Sequence, residues 1–148
     1  MAPHRIVALA SAVAWIVALV TPLTGNTITG PTRTHDMIVE MPPLSAFLAI
    51  PFAMALMVAS ARPRLWLFLV AIALGAILTS LLLVMPMGHV LWDGMDANGN
   101  PIGGMAEDTR DVGWFAALAG ALLLSFAGAI GVRSNQKPAN KNAGIPTE

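Results

Sequence analysis

The chain has 148 residues, of which 56% are hydrophobic and only 11% charged; soluble domains carry about 25% charged residues, so lipid must solvate much of this surface. Net charge is zero and no basic run is present, which excludes a phosphate-binding face for nucleic acid. Cysteine is absent, which excludes a disulfide framework, a thiolate site and a cysteine-held iron–sulfur cluster.

Residues 6–21, IVALASAVAWIVALVT, form the first apolar run. Its length is near the short end for a membrane span. The helix can begin at Pro3, where a missing N–H costs nothing, and Arg5 can reach back to the headgroups. A cleaved leader is the rival reading. One arginine and no Ala-x-Ala site after Leu19 argue for a retained span. Pro22 ends the run. The stretch TPLTGNTITGPTRTHD is rich in Thr, Gly, Pro and Asn and reads as a loop, with no strand assigned. The following DMIVEMPP is mixed in character and suits the membrane surface.

The second span is Leu44 to Ala61. Pro51 lies inside it, and a kink is expected because neighbouring helices tolerate proline in a membrane. The turn from Ser60 to Arg64 is so short that the second and third spans are expected to be antiparallel neighbours. The third span, Leu65 to Met85, is uncharged and long enough to cross about 30 Å of hydrocarbon. Pro86 and Gly88 stop it. A long segment follows, in which Asp96-Ala97-Asn98-Gly99-Asn100-Pro101 is a dense turn signal. Asp96, Asn98 and Gly99 fit part of a calcium loop, but Gly94 and Met105 stand where acids are required, so a solvated turn is the better reading. The fourth span is Gly113 to Val132, capped by Asp108-Thr109 or Asp111. Residues 133–148 are polar, lack aromatics and read as a disordered cytoplasmic tail.

The expected fold is therefore all-α: a four-helix bundle integral to the membrane, residues 1–132, with two longer outer loops. Arg5, Arg62, Arg64, Arg133, Lys137 and Lys141 fall on one side, and Arg33 and Arg110 on the other. That bias places both termini in the cytoplasm, N-in and C-in, for a chain in the plasma membrane. Asp36, Glu40, Asp93, Asp96, Glu107, Asp108 and Asp111 sort to the outer side. Trp66, Trp92 and Trp114 fall at the boundaries, while Trp15 lies deeper and faces other helices. Richness in Ala, Val and Gly suggests a bacterial source.

Small residues recur at four-residue spacing: Ala8 with Ala12, Ala10 with Ala14 and Ala18, Ala49 with Ala53, Ala71 with Gly75, Ala116 with Gly120, and Ala127 with Gly131. Such stripes let membrane helices approach closely. No span contains a charged residue, which argues against a proton relay or an ion pathway. Ser11, Thr79, Ser80 and Ser125 are the clear polar side chains at depth, and these usually bond to helix backbone. No Gly-x-Ser-x-Gly, phosphate loop or His-Glu-x-x-His occurs, so no enzyme class is supported.

One cluster carries candidate chemistry. His35, Met37, Met87 and His89 flank the second and third spans on the outer side, with Met41, Met85, Asp93 and Met95 nearby in sequence. Thioether and imidazole ligands suit copper. Methionine also fills irregular packing gaps, which is the competing reading. Three functions remain in play. The first is a non-catalytic accessory or structural subunit, needing no cofactor, whose partners are the lipid bilayer and larger integral membrane proteins. The second is a copper-handling protein using the His/Met cluster. The third is a small self-associating transporter or channel.

Overall fold

The computed structural model describes residues 1–26, 30–33, 43–60, 64–85, 89–95 and 98–135. Four helices dominate: α1 (Pro3–Val20), α2 (Pro43–Ala59), α3 (Leu65–Val84) and α4 (Val112–Asn135). Each follows from local chemistry. α1 opens with Pro3 in its first turn and closes where Thr21 ends the ladder. The Thr21 N–H and its hydroxyl both donate to the Val17 carbonyl, at 3.0 and 2.6 Å, and Pro22 has no N–H to continue. α4 starts at Asp111, whose carboxylate accepts from the Val112 N–H at 2.6 Å. The Asp111 carbonyl accepts from Trp114 N–H at 3.0 Å, beginning the ladder. Pro51 lies within α2, as the sequence requires.

By length and composition, α1, α3 and α4 are each long and apolar enough to cross a membrane. α2 is apolar but shorter. Its 17 residues rise about 26 Å.

The segments expected as loops are not loops throughout. β1 (Pro22–Asn26), β2 (Gly30–Arg33), β3 (His89–Met95) and β4 (Pro101–Arg110) form an antiparallel sheet in the order β2-β1-β4-β3. The chain is thus mostly helical but not all-α. The prolines that suggested loop occupy the places a sheet allows: Pro22 and Pro101 are the first residues of strands, and Pro31 lies on an edge strand. Gly99, at φ +82°, supplies the left-handed residue between β3 and β4.

α4 is the central helix, packed most extensively on α1 and α3, while α2 packs mainly on α1. Two buried clusters divide the interior. One joins Ala8, Ala12, Met54, Ala55, Val58, Leu67, Phe68, Ala71, Leu124 and Ala127. The other, at the sheet end, joins Trp15, Ala18, Leu23, Leu48, Leu78, Leu82, Trp114, Ala117 and Ala121. The end of α2 thus shares a cluster with the start of α3, and the start of α2 with the end of α3, as an antiparallel pair requires. Their mutual contact is nevertheless much slighter than that of α2 with α1.

The helix contacts depend on small residues. Gly75 of α3 lies against α4 so closely that a Cβ there would meet the Ala121 carbonyl oxygen at 2.6 Å and the Ser125 nitrogen at 2.8 Å. Gly120 of α4 receives the indole of Trp15 in the same way.

Candidate functional site

Three places merit a functional reading: the His/Met cluster, the helix interior, and the outer surfaces of α2 and the sheet. Of the cluster, His35, Met37 and Met87 lie outside the described residues. His89 opens β3 and pairs across the ladder with Glu107. Met41 is also outside the described residues, while Met95 ends β3, pairs with Pro101 and is strongly exposed. Among the described residues, no group of three or more His, Asp or Glu side chains is placed to hold a metal ion.

The helix interior uses its polar side chains locally. The Ser11 hydroxyl, fully buried, donates to the Gly120 carbonyl at 2.8 Å and ties α1 to α4. Ser125 donates to the Ile72 carbonyl at 3.3 Å, tying α4 to α3. Ser80 bonds back within its helix to Ala76 at 2.9 Å. These hydroxyls are occupied by backbone, which suits packing better than substrate binding. Thr79 Oγ1 is buried without a partner among the described residues.

His4 is a buried residue that no sequence motif marks. It is 9% exposed, and its ring meets Phe68 edge-on with centroids 5.3 Å apart. Neither ring nitrogen has a hydrogen-bond partner among the described residues. The signal was periodic: His4, Ala8, Ser11, Ala12, Trp15 and Ala18 are the buried residues of α1, spaced three and four apart as one helix face.

At the sheet end, the Arg110 guanidinium stands 4.3 Å from the Trp114 ring centroid. A cation over an indole face is held by the ring quadrupole. Trp114 is buried and also meets Phe115 edge-on at 5.0 Å. This places the strand–helix junction at an aromatic anchor.

The small-residue stripes divide into used and unused. Ala8 and Ala12, Ala71 and Gly75, and Ala127 and Gly131 are buried between helices. Ala49 and Ala53 of α2 are both exposed, as are the adjacent Ser45, Ile50 and Leu56. Beside this face runs an apolar groove of about 340 Å³ between α1 and α2. Trp15, Ile16, Leu19, Ser45, Leu48 and Phe52 line it together with Ala49.

The three long apolar helices define the class to which the chain is assigned, a multi-pass helical membrane protein. Compared with protein-family models, with curated proteins and with solved structures, the chain matches none.

Proposed function

We propose that this chain is a non-catalytic accessory subunit of a larger membrane complex, with α2 as its fourth span and both termini in the cytoplasm. The plasma membrane is the expected location. The observation that carries this reading is the unused face of α2. Small residues stand outward at Ala49 and Ala53 beside an apolar groove, whereas Ala8 with Ala12, Ala71 with Gly75 and Ala127 with Gly131 are taken up by internal packing and, of the remaining α1 stripe, only Ala10 is exposed. Close backbone approach is how membrane helices associate where lipid removes the hydrophobic drive. α2 is about 4 Å short of a 30 Å core, and a flanking helix compensates for such mismatch.

Ala49→Leu with Ala53→Leu tests this on native membranes solubilised in mild detergent. Both side chains are exposed, Ala49 at the rim of the groove, so insertion and thermal stability are expected to stay within about 0.5 kcal/mol of wild type. The amount of chain migrating in a larger complex is expected to fall at least tenfold. An unchanged complex would reject the α2 face, and a wild-type chain that migrates alone would reject the accessory role.

A further inference from the structure

We infer that the β3–β4 ribbon is a strand-addition dock for an extended, basic segment of a partner protein. This rests on the accessory reading and names a surface and a partner class for it.

The sheet is uneven. β1 pairs with β4 only at Asp108, Thr109 and Arg110. Above that level β3 pairs with β4 through seven rungs, from His89 opposite Glu107 to Met95 opposite Pro101. At about 3.3 Å per residue the ribbon extends roughly 23 Å beyond the three-residue junction. Among the described residues, no third strand pairs with β3 or with residues 101–107, and the extensive contacts of β3 are with β4 alone. A two-stranded ribbon in water is marginally stable by itself. This one contains Val90, Leu91, Trp92, Ile102 and Met105, a composition that favours pairing on a pleated surface.

The two edges of the sheet are treated differently. The β2 edge is four residues long, contains Pro31 and Arg33, and its pairing with β1 is broken by a register shift. Shortness, proline, charged side chains (lysine above all) and bulges are the usual protections of an edge against further pairing. The β3 edge is seven residues long, has no proline or lysine, carries Asp93 as its one acid, and keeps an unbroken register. Among the described residues, one edge is closed and no further strand pairs with the other.

Charge selects the occupant. From His89 to Glu107 the sequence holds Asp93, Asp96 and Glu107, and neither lysine nor arginine. Two copies of this ribbon would bring like charges together, which costs stability across a strand pair. Anionic headgroups would be repelled for the same reason. A basic extended segment gains both main-chain hydrogen bonds and charge complementarity.

The absence of cysteine makes the test clean. Met95→Cys, at a strongly exposed position, is labelled with a benzophenone maleimide and irradiated in native membranes. Leu69→Cys, on the exposed face of α3, is the control. The expected result is a discrete adduct from position 95 and not from position 69. Its cross-linked peptide should come from a different protein and carry lysine or arginine. Adduct yield should fall at least tenfold when Asp93→Lys and Glu107→Lys are added, with membrane level and maleimide labelling at position 95 unchanged.

An adduct of the chain with itself, or with lipid only, would overturn the proposal. So would an adduct insensitive to the charge reversals. No adduct, with a large complex that still depends on Ala49 and Ala53, would overturn the ribbon and leave the accessory role standing. No adduct and a lone chain would overturn both.

Discussion

Gly75→Leu is expected to cost at least about 3 kcal/mol and to separate α3 from α4. Overpacking usually costs about 1–3 kcal/mol because side chains move aside. Here the obstacle is backbone. A Cβ at position 75 would lie 2.6 Å from the Ala121 carbonyl oxygen and 2.8 Å from the Ser125 nitrogen. No rotamer relieves that contact, so the helices themselves must part. The Ser125 bond to the Ile72 carbonyl spans the same contact and goes with it. Ala73→Leu on the same helix faces outward and should change stability by less than about 0.5 kcal/mol. Denaturant titration in mild detergent, followed by tryptophan fluorescence, checks both. Equal stability of the two variants would mean that α3 and α4 do not pack through Gly75.

Trp15→Ala is expected to cost about 3–5 kcal/mol, the usual range for removing a buried large aromatic. Trp15 is 1% exposed, meets Phe47 edge-on at 6.3 Å, and covers Gly120. The Gly120 contact supplies a sharper check. A Cβ at position 120 would sit 2.9 Å from Trp15 Nε1 and 3.0 Å from Cε2. Gly120→Ala should therefore destabilise the wild-type chain and be nearly neutral once Trp15 is alanine. A double-mutant cycle should give a coupling of at least about 1 kcal/mol. Additive effects would show that the indole does not lie on α4.

How much of this was legible depends on which forces write into sequence. The third helix, expected from Leu65 to Met85 and found from Leu65 to Val84, was legible because the run is uncharged and bounded by Arg64 on one side and Pro86 on the other. Hydrophobic length alone defines such a helix. The start of α4 was legible because acids, Asp108 and Asp111, precede an apolar run; of these, Asp111 accepts from the Val112 N–H. The sheet was not. Its strands carry Thr24, Gly25, Pro31, Gly103 and Gly104, residues that read as turn when taken alone. Their pairing is long-range, joining Thr24 to Arg110, and such register has no local signature.

The helix neighbours were partly legible. The turn at 60–64 fixed direction but not proximity. α2 turns to α1 because Trp15, Phe47 and Leu48 fill the space there. The burial of His4 has a trace in the sequence only as periodicity, since its spacing to Ala8, Ser11 and Trp15 marks the packed face. Of the His/Met candidates, only His89 falls within the described residues, and its pairing with Glu107 is a backbone fact that the sequence did not suggest.

The proposed topology puts the sheet on one face of the membrane, and the termini and the start of α3 on the other. Single cysteines in this cysteine-free chain measure it directly. Met95→Cys, Arg64→Cys and Ser134→Cys are all exposed positions, and each is treated in intact cells with a membrane-impermeant maleimide. Position 95 should label from outside, and positions 64 and 134 only after the membrane is opened. Labelling of position 64 or 134 from outside, or protection of position 95, would contradict the proposed topology and with it the external docking ribbon.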